Sequence, residues 1–269
     1  MSFSKTTKGY EAVGPIYWLA FNLRKKPFDD IRVRQAFAYS IDRDFIVKTI
    51  FEGLAVKATG PISPDSPLYS PDVEHYKMDI QKANDLLDAA GYPRDKTGKR
   101  FETTLHFLPG VKEFFYVFAE YLRDDLFRKI GVELKISKWL TFAQWSDSIS
   151  NGDFTITLDT VFNWGDPVIG AHRAYDCNNI RKGVIWSNTQ GYCNPKVNEL
   201  TDAAGSEMNF DKRKALYAEF QKIVVSDLPV YYIMQIPYVT MYPKHLKRIN
   251  DSVWGTLSPL DRVYWEKTP

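Results

Sequence analysis

Between residues 101 and 162 the hydrophobic positions follow two spacings in turn, every second residue as in a strand and every third or fourth residue as in a helix. Apolar and polar residues alternate at 101–107, 132–136 and 154–159, which predicts strands with one buried face. Between the first two stretches, Phe115, Phe118, Leu122, Leu126 and Ile130 recur at helical spacing, and a second helix is predicted from about Thr141 to Ile149. Strand, helix, strand, helix, strand with short connections is typical of a parallel α/β unit. We therefore predict a βαβαβ sheet covered by helices.

The flanking sequence predicts further strands and helices. Residues 16–23 and 230–236 are apolar runs that we interpret as buried strands. Residues with good capping side chains precede the predicted helices, namely Asp29 or Asp30, Asp42, Asp79, Asn194 and Asp211. Prolines at 61, 64, 67 and 71 exclude regular structure from the segment between 58 and 71, which we predict to be an ordered surface loop. The last thirty or so residues give no clear pattern.

The third strand of the unit leads into a segment that concentrates possible ligand-binding groups. The chain leaves this strand through Val161, Phe162, Asn163, Trp164 and Gly165, and Asp166-Pro167 has the pattern of a cap and a first helical residue. Small ligands of open α/β sheets bind beyond the carboxyl ends of the strands. A plain capping role for Asp166 and a role in shaping the ligand site both remain open.

Composition excludes several classes of function. The chain is 44% hydrophobic and 25% charged with a net charge of +2, as in ordinary globular proteins, and its basic runs are short, so we expect no nucleic-acid partner. Apolar runs fall short of the about 18 residues that span a membrane. The four histidines are scattered, and neither a nucleophile elbow nor a phosphate loop is present. We expect no cofactor and no metal site.

Two alternatives to a binding function remain open at this point. A hydrolase could use Asp153, Asp159 or Asp166 as general base, although this role needs a positioned partner group. A sensor or chaperone domain could use the same fold to bind a partner protein. Cys177 and Cys193 lie 16 positions apart; free thiols are expected in the cytosol and a disulfide in an exported protein.

Several segments resemble one protein family. Residues 27–47, PFDDIRVRQAFAYSIDRDFIV, closely resemble the signature helix pair of bacterial extracellular solute-binding proteins of the peptide/nickel class, family 5. These proteins are the ligand-capturing subunits of ABC importers. The segments LLDAAGYPRDKTGKRF, FRKIGVELKISKWLTF and NPKVNEL followed by DKRKALYAEFQKIVVSDLPVYYI are similar to later parts of the family. The resemblance runs in order from Gly14 to Tyr238, and it covers only the second half of these longer proteins.

The resemblance implies a periplasmic-binding-protein-like α/β fold of two lobes that enclose a ligand. Residues 1–26 would form a hinge segment, 27–236 the C-terminal lobe, and 237–269 a tail that returns to the N-terminal lobe. The protein would be a periplasmic monomer, exported by a signal peptide outside this sequence. Its partners would be a small-molecule solute and the membrane subunits of an ABC transporter.

The resemblance also implies which residues bind the ligand. Trp139 matches a tryptophan that lines the cleft, and Thr160 to Trp164 match the loop that lies along a bound peptide. Peptide-binding members hold the peptide ammonium with an aspartate where this chain has Asn163. The implied ligand is therefore a peptide, a blocked peptide or a sugar conjugate. Some dipeptide-binding members have a disulfide where Cys177 and Cys193 lie, so the resemblance favours a disulfide here. The predicted ligand-binding residues are Trp139, Thr160, Phe162, Asn163, Trp164 and Asp166.

Overall fold

The structure is a computed structural model that describes residues 2–6, 15–109, 112–137, 141–236, 239–249 and 258–266. The strands are β1 (Phe3–Thr6), β2 (Pro15–Phe21), β3 (Val56–Lys57), β4 (Phe101–Phe107), β5 (Val132–Ile136), β6 (Ile156–Phe162), β7 (Val230–Gln235), β8 (Thr240–Pro243), β9 (Leu246–Lys247) and β10 (Tyr264–Trp265). The helices are α1 (Ile31–Ser40), α2 (Arg43–Phe45), α3 (Ile80–Ala89), α4 (Lys112–Ile130), α5 (Phe142–Asn151), α6 (Pro167–Gly170), α7 (His172–Tyr175), α8 (Pro195–Ser206) and α9 (Phe210–Asp227). A π-helical turn spans Ile46–Ile50, and a 3-10 turn spans Cys177–Asn179.

The central sheet has the strand order β3-β7-β2-β6-β4-β5. Strand β4 pairs in parallel with both β5 and β6, and α4 and α5 make the connections, so the predicted βαβαβ unit is confirmed. The helical stripe of α4 packs into the core: Phe115, Phe118, Leu122, Leu126 and Ile130 are all fully buried. This packing fixes the ends of β4, β5 and β6 relative to one another.

Strand β2 occupies an inner position of the central sheet. It lies between β6 and β7 and runs antiparallel to both, and all of its residues are buried. The division of the chain into a hinge or entry segment at 1–26, a lobe at 27–236 and a tail at 237–269 stays a prediction.

Capping side chains begin most of the helices at the expected places. Asp30 accepts a hydrogen bond from the backbone N–H of the second residue of α1, and Asp42, Asp79 and Asn194 cap α2, α3 and α8 in the same manner. One expectation was wrong, because Asn209 caps α9 while Asp211 lies in the first turn of that helix. Asparagine and aspartate are both favourable near a helix N-terminus, so the sequence pattern does not show which of the two residues is the cap.

The N-terminal strand pairs with a strand of the C-terminal segment. Strand β1 pairs with β8 in antiparallel register, from Phe3 opposite Pro243 to Thr6 opposite Thr240, and β9 pairs with β10. The C-terminal segment thus contains short strands that its sequence pattern did not predict. These strands form separate ladders of two strands, apart from the central sheet.

Candidate functional site

The candidate site lies at the edge where β6 and β7 end. Phe162, the last residue of β6, is opposite Pro15, and Gln235, the last residue of β7, is opposite Ile16. Both strand ends therefore flank the start of β2. Since β4 and β5 run parallel to β6, their carboxyl ends face the same edge. In open α/β sheets, this is the edge where ligands bind.

Residues 162–166, called the site loop below, present two aromatic rings at this edge. The rings of Phe162 and Trp164 are stacked, with centroids 5.1 Å apart and an interplanar angle of 26°, and both side chains are partly exposed. Trp164 and Gly165 both have left-handed backbone conformations, with φ of 53° and 79°. A tryptophan rarely adopts this conformation, so the surrounding structure must hold the loop in place.

Helix α6 supports the site loop through a close backbone contact. A Cβ atom at Gly170 would lie 2.4 Å from the Cα of Asn163 and 2.4 Å from the carbonyl oxygen of Phe162. Only glycine permits this approach, because the atoms on the other side are backbone atoms that cannot rotate away. Gly170 thus fixes the site loop against the helix that follows it.

Asn163 is part of the protein interior. Its side chain is 2% exposed. Its amide oxygen accepts a hydrogen bond from the backbone N–H of Ser63, and its Nδ2 donates to the carbonyl oxygen of Pro61 at 3.0 Å. The amide thus binds the loop at 58–71, and the role in ligand binding that the resemblance implies stays a prediction. Sequence reasoning could not identify partners a hundred residues away.

The same loop extends the buried network to an exposed carboxylate. The hydroxyl of Ser63 donates to Gln235 Oε1 at 2.9 Å, and Gln235 Nε2 lies 3.4 Å from Asp65 Oδ2. Ser63 and Gln235 are buried, whereas Asp65 is exposed. Asp65 was not among the predicted site residues. The only sequence signal for it was its position in the proline-rich loop.

Asp166 has both a capping role and an ion pair. Its Oδ1 accepts from the backbone N–H of Val168 at 2.9 Å, which confirms the predicted cap of α6. The same oxygen accepts from Arg213 Nη2 of α9 at 2.9 Å. The side chain is partly exposed, so Asp166 lies next to the site loop while its charge is already balanced.

The other predicted residues occupy different positions. Thr160 is buried inside β6, and its hydroxyl has no hydrogen-bond partner within the described residues. Trp139 lies outside the described residues. The structure therefore brings together Phe162, Trp164 and Asp166 at the edge, and places Thr160 and Asn163 beneath it.

Asp159, one of the carboxylates considered as a general base, is buried on one face of β6. It lies opposite Trp18 of β2 and accepts a hydrogen bond from the backbone N–H of Thr160 at 2.7 Å. Burial raises the pKa of Asp159 to about 7, although the Thr160 hydrogen bond, the polar group of Trp186 and the charge of Arg173 oppose the shift. Because Asp159 is enclosed, it does not reach the site edge.

A disulfide closes the loop that covers this face of the sheet. Cys177 and Cys193 are bonded, as the family resemblance implied. Inside the loop, Asn188 is buried and donates from Nδ2 to the carbonyl oxygens of Asp176, at 3.0 Å, and Tyr192, at 2.6 Å. The disulfide and these internal hydrogen bonds together hold residues 177–193, called the disulfide loop below, in one conformation.

Comparison with known proteins identifies the family. The profile of bacterial extracellular solute-binding proteins, family 5 Middle, matches residues 3–182. The chain belongs to this family. It is 27% identical to the dipeptide-binding protein of Escherichia coli over 256 residues, and 28% identical to heme-binding protein A of Haemophilus influenzae over 221 residues. These matches cover 93% and 80% of this chain, but only 44% and 38% of the relatives, so the chain spans less than half the length of either.

The fold agrees with that of a solved structure. The dipeptide-binding protein from Pseudoalteromonas sp. SM9913, in complex with Met-Leu, superposes with a TM-score of 0.82 at 24% identity. The superposition covers 98% of this chain and 50% of that one. The family consists of substrate-binding proteins and not enzymes, so the hydrolase alternative is not favoured. Within the described residues, we find no helix with the length and apolar character to cross a membrane and no group of metal-binding side chains.

Proposed function

We propose that this chain is the C-terminal lobe of the substrate-binding subunit of an ABC importer, which captures a peptide-like solute in the periplasm. The observation that carries this proposal is the family match over residues 3–182, because it includes the site loop and its supporting strands. The pairing of β1 with β8 supports a hinge and tail that run side by side towards a second lobe. The partners would be the membrane subunits of the transporter, and the protein would act as a monomer without nucleic acid.

The ligand class follows from the chemistry of the site edge. Residue 163 carries no charge, and its amide already binds Pro61 and Ser63, so it offers no anion to a peptide ammonium. The stacked rings of Phe162 and Trp164 offer a flat apolar surface instead. Aromatic rings pack well on apolar side chains and other flat groups. We propose a blocked or longer peptide, or a polyhydroxylated solute such as a sugar conjugate.

The proposal is tested by calorimetric titration of the two-lobed protein. Free and N-acetylated di- and tripeptides are compared with oligosaccharides, and we expect N-acetylation to leave peptide affinity within a few-fold. Phe162→Ala should weaken binding of the best ligand by roughly ten-fold or more, because it removes a stacking surface. Phe210→Ala is the matched control, since this exposed phenylalanine begins α9 and lies outside the site loop.

Tight binding of free dipeptides that is lost on N-acetylation would contradict the proposed ligand class. The same titration on Asp65→Asn would then test whether Asp65 holds the peptide ammonium, because Asp65 is the exposed carboxylate that the buried network reaches. Equal binding by Phe162→Ala and the wild type would show that the aromatic pair is not part of the site. Failure of every solute to bind would contradict the binding function itself.

A further inference from the structure

A small cavity lies between the central sheet and the disulfide loop. Trp18 and Ala20 of β2 and Asp159 and Val161 of β6 line it from the sheet, and Trp186, Ser187 and Thr189 line it from the loop. Its volume is about 10 Å³, which is the space that a single water molecule needs. Trp18 and Asp159 are direct neighbours across the antiparallel ladder, so both polar groups lie close to this space.

One hydrogen-bond donor of a cavity-lining residue has no partner among the described residues. Trp18 is 6% exposed, and its indole Nε1 is buried without an acceptor among them. Buried donors in native proteins are nearly always satisfied, by protein or by ordered water. An occupant that accepts hydrogen bonds is therefore required here.

We propose that this cavity binds one ordered water molecule, which accepts a hydrogen bond from Trp18 Nε1 and donates one to the carboxylate of Asp159. Water matches both partners because it accepts and donates. A metal or ammonium ion cannot accept from an indole N–H, and a larger solute exceeds the volume. The carboxylate already accepts from the backbone N–H of Thr160 and has capacity for further donors.

The water would lie where three parts of the structure meet. Trp18 belongs to β2, Asp159 belongs to the strand that leads into the site loop, and Ser187 and Thr189, which line the cavity, belong to the disulfide loop. The site is therefore a hydrated polar contact between the disulfide loop and the strand beneath the ligand edge.

The first experiment is solution NMR on the whole chain with ¹⁵N-labelled tryptophan. Trp18→Phe and Trp145→Phe identify the two indole signals. We expect the Trp18 indole proton to show a cross-peak to a long-lived water. Trp145 is the internal control, because it is equally buried but its Nε1 lies 3.5 Å from Thr157 Oγ1. Absence of the Trp18 cross-peak, or an equal cross-peak at Trp145, would overturn the proposal.

The second experiment fills the cavity. Ala20→Val adds two methyl groups to a cavity-lining residue, and the Trp18 cross-peak should disappear while the Trp145 signal keeps its position. Persistence of the Trp18 cross-peak in a folded variant would place the water elsewhere and overturn the proposal. If the variant does not fold, a high-resolution crystal structure of the wild type decides. A water about 3 Å from both Trp18 Nε1 and the Asp159 carboxylate supports the site, and a direct protein acceptor for Trp18 refutes it.

Discussion

The buried carboxylate of Asp159 makes the stability of this lobe depend on pH. The substitution Asp159→Asn tests this, because asparagine has nearly the same shape and keeps an oxygen that can accept from the backbone N–H of Thr160. The variant removes only the charge that the folded state must bury. We therefore compare the pH dependence of unfolding of the two proteins, and not their stability at one pH.

The sign and size of the effect follow from the pKa. Burial raises the pKa of Asp159 from 3.8 to about 7. Between these values the folded state binds a proton that the unfolded state has lost, so the free energy of unfolding decreases as pH rises. At about 1.4 kcal/mol per pH unit, the full loss is about 4 kcal/mol between pH 4 and pH 8. The Asp159→Asn variant lacks this group and therefore lacks this loss.

The measurement is guanidinium unfolding of both proteins at intervals from pH 4 to pH 8. We expect the variant to gain stability relative to the wild type as pH rises, with most of the change below pH 7 and little above it. Other titrating groups occur in both proteins and cancel in the difference. Asp72→Asn, which alters an exposed carboxylate, is the control. Parallel pH profiles for wild type and Asp159→Asn would refute the reasoning.

Three further predictions concern the supports of the site. Replacing Cys177 and Cys193 by alanine should lower the free energy of unfolding by about 3 kcal/mol, as expected for a closed loop of this size, and the unreduced wild type should take up no alkylating label. Gly170→Ala should destabilise the folded protein by a few kcal/mol in thermal unfolding. Gly205→Ala in α8 should be neutral or stabilising by up to about 1 kcal/mol, because the atom nearest to the added Cβ lies 3.8 Å away. Asn163→Asp should destabilise by about 1–3 kcal/mol at neutral pH, because a carboxylate replaces a buried donor, and calorimetry should show no gain in affinity for free dipeptides.

The local parts of this fold could be predicted from the sequence. Helix α4 shows why, because each residue of its apolar stripe follows from the helical period and all of them are buried. The caps at Asp30, Asp42 and Asp79 follow from a hydrogen bond within a few residues of the chain. In each case the interacting residues are close in sequence, so a short stretch of the chain is enough to predict the element.

The remaining parts depend on contacts between distant segments. The apolar run of β2 predicted a buried strand, but its place between β6 and β7 depends on residues more than 130 positions away. Alternation in β6 placed Asp159 among the polar positions, and the sequence did not indicate that the disulfide loop covers that face. Exposure inferred from alternation fails when a loop packs on the polar face of a strand.

The chemistry of residue 163 connects the site loop to the proline-rich loop at 58–71. Ser63 requires an acceptor and Pro61 requires a donor, and an amide side chain supplies both at once, whereas a carboxylate supplies only acceptors. The absence of charge at this position is therefore coupled to the conformation of the loop at 58–71. The same network reaches Gln235 and then Asp65, so a change in that loop would alter both the contacts of Asn163 and the position of an exposed carboxylate. The site loop and the proline-rich loop are therefore coupled, and a substitution at residue 163 would disturb both loops.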